Sequence, residues 1–155
     1  MATTPLRHPL DHAALFHTGI VVDDLAAAAE EMGAQLGVTW HEGGGEVLLV
    51  TADGAALTKT AYVLSKEGPH HIELVQSVPG TLYVPTPEAR GHHLGYWTDD
   101  VRAASAALEA QGLPLDTSMC FARADAPPIC AYHRAGDGFF VELVSTKMRK
   151  VLLPE

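Results

Sequence analysis

Basic side chains are scarce in this chain: 10 Lys and Arg stand against 19 Asp and Glu, for a formal net charge of -9. That balance suits neither nucleic acid nor an anionic membrane surface, both of which are recognised by positive potential. Long apolar runs are missing as well. Nowhere do about 18 consecutive apolar residues occur, and the opening "MATTPLRHPLDHAALF" has no basic stretch leading into an apolar segment, so a cytoplasmic protein is expected. Cysteine is nearly absent. Cys120 and Cys130 have no C-x-x-C spacing, which argues against a disulfide framework or a cysteine metal cluster and leaves two reduced, buried thiols as the expectation. What remains is a globular composition, 47% apolar and 19% charged over 155 residues, enough for a single domain with an ordinary core. The expected partner is a small molecule, with a homodimer left open.

Histidine, by contrast, is abundant: nine occur, at 8, 12, 17, 41, 70, 71, 92, 93 and 133. A lone histidine on a strand is more often a hydrogen-bonded structural residue than a ligand, so pattern has to decide which of them matter. One pattern is written twice. "AALFHTGIVVDD" and "ARGHHLGYWTDD" each set a histidine in an apolar run and follow it six residues later with an Asp pair, His17 with Asp23-Asp24 and His93 with Asp99-Asp100.

Each Asp pair precedes a helical stripe. Leu25, Ala28, Ala29, Met32 and Leu36 recur at helical spacing before Gly37, and Val101, Ala104 and Leu108 recur before Gly112; one Asp of each pair is placed to cap. Strand-like texture with turns follows in both halves. Each half closes on an apolar strand with one acid, "HHIELVQS" with Glu73 and "GFFVELVS" with Glu142. The reading is an α+β fold of two βαβββ modules, about 13–77 and 91–146, with a proline-containing linker at 78–90. The histidines are 76 residues apart and the glutamates 69, so the second copy is shorter in its middle.

Side chains alternate across a strand. His17, Gly19 and Val21 therefore share one face, and His93, Gly95 and Trp97 share the equivalent one, while Phe16, Ile20 and Val22 turn toward the helix. In the closing strands Glu73 goes with His71 and Val75, and Glu142 with Phe140 and Val144, leaving Leu74, Val141 and Leu143 for the helix side together with Leu25, Met32, Leu94 and Leu108. A carboxylate on a nearly continuous apolar strand is costly to bury alone. Two imidazoles and two carboxylates in matching positions form an N₂O₂ set for one divalent ion: nickel, cobalt, zinc, manganese or iron(II). The glycines two residues after each histidine are expected to leave space beside that ion. His92 is the rival to His93, but only His93 keeps the six-residue spacing, and a shift of one is expected to turn the ring toward the helix.

The doubled lines and the ending "DGFFVELV", which is similar to a D-G-x-x-[IV]-E signature, resemble the vicinal oxygen chelate superfamily of glyoxalase, bleomycin-resistance and extradiol-dioxygenase proteins. The resemblance runs from about residue 13 to 146. It implies a cupped, partly open mixed β-sheet barrel around a metal, with His17, Glu73, His93 and Glu142 as ligands. The set most resembles small glyoxalase I enzymes, and "HIELVQS" is similar to methylmalonyl-CoA epimerase-like members, in which Gln commonly stands at the place of Glu73. Both imply an isomerase, epimerase or lyase working through proton abstraction and an enediolate, with Glu142 as principal base and Glu73 as second acid-base group. Val21 and Ser77 stand where the glutathione-dependent group usually has Arg and Asn, implying a co-substrate other than glutathione.

Two alternatives remain at this stage. An extradiol-type iron(II) dioxygenase could use His17, His93 and Glu142, with Tyr132 and His133 as acid-base groups, although Glu73 would crowd the oxygen site. A non-catalytic small-molecule or antibiotic-binding protein would not need all four donors. Gly19, Val21, His71, Gly95, Trp97 and Phe140 are the expected pocket residues, and the aromatic ones suggest a substrate with an apolar portion.

Overall fold

The computed structural model describes residues 10–87, 91–121, 123–136 and 138–155. After a 3-10 turn at His12–Ala14, strand β1 (Leu15–Val22) leads into helix α1 (Leu25–Leu36) and strands β2 (Trp40–Thr51), β3 (Gly54–Ser65) and β4 (His71–Gln76). The same order recurs as β5 (His93–Thr98), α2 (Val101–Ala110), β6 (Leu115–Cys120), β7 (Cys130–Ala135) and β8 (Phe139–Ser145). A 3-10 turn at Thr146–Met148 and a short helix α3 (Arg149–Leu152) then follow; the repeat does not predict them.

The helices start where the Asp pairs place them. Asp24 accepts from the Ala27 N–H and Asp100 from the Ala103 N–H, each at 3.0 Å, which satisfies an amide that the first turn leaves open. Gly37, at φ 70°, ends α1 in the left-handed conformation that glycine adopts without penalty.

The strands close into a barrel in the order β1-β4-β3-β2-β6-β7-β8-β5. Within each module the first and last strands run parallel, β1 with β4 and β5 with β8. The modules meet at two antiparallel seams, β1 with β5 and β2 with β6. The second seam has only the pairs Leu48/Cys120, Leu49/Met119 and Val50/Ser118, so the ring is complete but thin there. The shorter second copy is explained by its hairpin: β2 and β3 have 12 residues each, β6 and β7 only 6.

Strand register follows the predicted alternation nearly throughout. Val141 and Leu143 pack with Val101 and Leu108 of α2, and Leu74 is fully buried; each such side chain contributes about 1.5–3 kcal/mol. Ile20, Val22, Leu25, Met32 and Leu94 are half-buried, and Leu36 is exposed, because the alanine-rich stripe of α1 covers little of the sheet. Phe16 departs from the expected face. The β1–β5 register shifts between Leu15 and His17, a bulge that accommodates one extra residue, and Phe16 is buried with its ring stacked on Trp97 at 3.7 Å. Among the described residues no helix is long and apolar enough to cross a membrane.

Candidate metal centre

The doubled line has a geometric reason. At the β1–β5 seam His17 lies opposite Gly95 and Gly19 opposite His93. A Cβ on Gly95 would lie 1.9 Å from His17 Cε1, and one on Gly19 would lie 2.0 Å from His93 Cε1. Each glycine therefore makes room for the other module's imidazole. The space expected beside an ion is occupied by the rings themselves. Across β4-β1-β5-β8 the register produces two rows, His71–His17–Gly95–Glu142 and Glu73–Gly19–His93–Phe140, which approximate each other under exchange of the modules.

The four donors converge. Glu142 Oε2 lies 3.0 Å from His17 Nε2 and 3.3 Å from His93 Nε2, while Glu73 Oε1 lies 3.3 Å from His93 Nε2 and 4.0 Å from His17 Nε2. The two Nε2 atoms are 3.1 Å apart. Donors about 2.0–2.2 Å from one ion are spaced about 3 to 4 Å from one another; His17, Glu73 and His93 meet that requirement as a set, all three ligand atoms lying within 4.8 Å of one another, and Glu142 reaches the set through both imidazoles. Two further observations agree. All four side chains are buried, and Glu142 Oε2 makes no hydrogen bond despite its short contacts, leaving a desolvated oxygen whose need an ion would meet.

Electrostatics bind the cluster together. Burial alone would lower the His93 imidazole, but Glu142 and Glu73 reverse that and hold it up to about 9. Burial works in the opposite sense on Glu142, and His93 with His17 outweighs it, keeping the carboxyl well below the usual carboxylate range. A proton on His93 and a divalent cation thus satisfy the same two carboxylates. Cys130 stands nearby, where burial and Glu142 push its thiol well above the ordinary value. It is not a ready thiolate donor, and both cysteines are free and buried.

His17, Glu73 and Glu142 line a cavity of about 120 Å³, while His93 is fully buried. Much of the wall is apolar, including Val47, Val75, Met119, Ile129, Val144 and Leu152. Three phenols that the sequence reading does not single out for the pocket, or keeps only as an alternative, also face it: Tyr62, Tyr83 and Tyr132. Tyr83 comes from the inter-module segment and donates to the Tyr132 hydroxyl at 2.9 Å. Tyr132 lies directly opposite Glu142 in the β7–β8 register. Strand alternation could have found Tyr132 once that pairing was known; nothing periodic marks Tyr83 or the C-terminal Met148 and Leu152.

None of the six expected pocket residues lines this cavity. Gly19 and Gly95 sit against the imidazoles, and Val21 is in the core. His71 is buried with its Nδ1–H donating to the Ser65 carbonyl at 2.7 Å. Trp97 lies between Phe16 and the Arg149 guanidinium, which is 4.6 Å from its ring centre. Phe140 packs on His92 at 5.0 Å. These residues share the inward face, but alternation says nothing of depth, and neighbouring rings cover them. His92 also departs from expectation: it is buried among Tyr83, Tyr132, His93 and Phe140 instead of on the helix side.

A family profile described as the Glyoxalase/Bleomycin resistance protein/Dioxygenase superfamily matches residues 16–130. The chain belongs to that superfamily. Among solved structures, its fold is similar to a methylmalonyl-CoA epimerase in complex with methylmalonyl-CoA and NH4+, at 21% identity and TM-score 0.55, covering 85% of this chain and 93% of that one. A variant of the Streptomyces coelicolor methylmalonyl-CoA epimerase in complex with 2-nitronate-propionyl-CoA matches at 19% identity and TM-score 0.56, covering 85% and 96%. The Mycobacterium tuberculosis methylmalonyl-CoA epimerase matches at 21% and 0.50, covering 85% and 87%. No curated protein matches the chain.

Val21 is packed in the core and Ser77 donates to Asp23 at the start of α1, so neither reaches the cavity. His133 is bonded on both ring nitrogens, to the Leu113 carbonyl and the Ser105 hydroxyl, each at 2.8 Å. It lies between β7 and α2, away from the four donors. The Asp of the D-G-x-x-[IV]-E signature and residues 88–90 of the linker lie outside the described residues.

Proposed function

We propose that this superfamily member is an enzyme that holds one divalent ion, nickel, cobalt, zinc, manganese or iron(II), between His17, Glu73, His93 and Glu142, and moves a proton at a carbon beside a substrate carbonyl or hydroxyl. The reading is carried by the mutual approach of His17, Glu73 and His93, whose ligand atoms all lie within 4.8 Å of one another, with Glu142 Oε2 within 3.3 Å of both imidazole nitrogens. A bound divalent ion supplies Lewis-acid polarisation of the substrate oxygen, which acidifies the neighbouring C–H.

The protein's own groups do the rest. Glu142, which lines the cavity, takes the proton; Glu73, from the other module, lines it too and holds a second position from which a proton is returned. Return to the same carbon is epimerisation, and return to a neighbour is isomerisation. Tyr132 accepts from Tyr83, so its own O–H is free to donate to a substrate oxygen in the cup. The apolar wall keeps water from competing. No Lys or Arg lines the cavity among the described residues, which favours a substrate whose enclosed part is uncharged. The likeness to methylmalonyl-CoA epimerase structures supports a carbonyl compound of that kind, and the missing contacts at Val21 and Ser77 speak against glutathione.

The position of His133, tied down on the far side of β7, weakens the dioxygenase reading. The test is solvent-deuterium exchange. Metal-loaded protein incubated in D₂O with hydroxyacetone, a small uncharged enolisable ketone, should wash deuterium into the carbon beside the carbonyl faster than chelator-treated protein does. Equal rates would refute the proposal, and tight ligand binding without exchange would favour a sequestering role. Oxygen uptake with catechol and iron(II), undiminished when Glu73 is removed, would favour the dioxygenase.

A further inference from the structure

We infer that His92, which is not among the four donors, is a positioning residue that fixes the tautomer of His93 and thereby points the His93 Nε2 lone pair at the centre. The inference rests on the metal-binding proposal above. Its foundation is a chain of three groups. His92 Nε2 lies 2.9 Å from the Leu82 carbonyl, and His92 Nδ1 lies 2.8 Å from His93 Nδ1.

A carbonyl can only accept, so the hydrogen of the first contact sits on His92 Nε2. The second contact needs one hydrogen between two nitrogens. His92 is 1% exposed, and its ring neighbours are Tyr83, Tyr132, His93 and Phe140, none of them an acid. With the ring's hydrogen committed to Nε2 by the Leu82 carbonyl, the imidazole presents Nδ1 bare as an acceptor. The hydrogen then belongs to His93 Nδ1, and His93 Nε2 is the nitrogen that faces His17, Glu73 and Glu142. Ligating histidines generally owe their tautomer to such an outer partner.

Exchange of the modules makes the point sharper. The residue before His17 is Phe16, also buried and also turned inward, and His17 Nδ1 has no hydrogen-bond partner. At equivalent positions one module has an apolar ring and the other a smaller ring with two nitrogens. The anchor for those nitrogens, Leu82, lies in the segment between the modules, so that segment contributes to the centre as well as joining the copies.

The experiment compares wild-type protein with His92→Phe, which installs the residue that the first module already carries, and His92→Asn, whose side-chain oxygen can still accept from His93 Nδ1. Cobalt(II) affinity is read by competition with a chromogenic chelator. The phenylalanine variant should lose about 10- to 100-fold, and the asparagine variant should recover most of that loss. Long-range ¹H–¹⁵N spectra of zinc-loaded wild-type protein provide a second readout that needs no variant to fold: His93 should carry its proton on Nδ1 with Nε2 bound to metal. Wild-type affinity in the phenylalanine variant, or coordination through His93 Nδ1, would overturn the role of His92 while leaving the metal centre standing. Failure of the wild-type protein to bind cobalt would overturn both.

Discussion

Gly95→Ala should empty the metal centre without touching a ligand. The added methyl would lie 1.9 Å from His17 Cε1, 2.3 Å from Nδ1 and 2.6 Å from Nε2, so the imidazole cannot stay where it is. Phe16 packs against it in a T-shaped contact at a centroid distance of 4.4 Å, and His93 does the same at 5.1 Å. Either His17 swings away from the other donors or the β1–β5 seam opens. Overpacking of this kind costs about 1–3 kcal/mol in stability, and loss of one ligating imidazole should exceed the roughly 100-fold affinity cost usual for outer-shell partners. Gly19→Ala should act equally through His93. Gly91→Ala is the control, because among the described residues its Cβ would meet only Thr18 Cγ2, at an ordinary 3.8 Å. Calorimetric titration with nickel(II) checks all three, and wild-type affinity in the Gly95 variant would show that the imidazole does not bind where the structure places it.

Glu142→Gln should separate binding from chemistry. The amide keeps an oxygen that can coordinate, so one ion per chain should still bind, though with less charge to hold it. The amide cannot accept a proton from carbon, and removing a general base costs about 10²- to 10⁴-fold in rate. Deuterium exchange into hydroxyacetone should fall by that amount while cobalt(II) stoichiometry stays at one. Tyr132, opposite Glu142 across the β7–β8 pair, adds a discriminating variant. Tyr132→Phe should slow exchange less than Glu142→Gln, because it removes a donor to the substrate and leaves the base in place. An exchange rate unchanged in Glu142→Gln would reassign the base to Glu73.

The sequence was most informative where it repeats itself. The Asp pairs identified both helix starts because a cap is a local interaction between a side chain and an amide three residues on. The faces of Glu73, Glu142, Leu74 and Leu143 followed from alternation, which depends on backbone geometry alone. Other features needed information that no single strand contains. The purpose of Gly19 and Gly95 depends on the register between β1 and β5. The inward turn of Phe16 depends on a bulge in that same seam. Tyr83 enters the cavity from a segment with no periodicity, and His92 became legible only through the Leu82 carbonyl, a backbone atom that carries no sequence identity.

Elemental analysis of protein purified without chelator tests the central claim most directly, with the His17→Ala/His93→Ala double variant prepared alongside. One divalent ion per wild-type chain and none in the double variant is the predicted result. A full equivalent of metal surviving the loss of both imidazoles would contradict it.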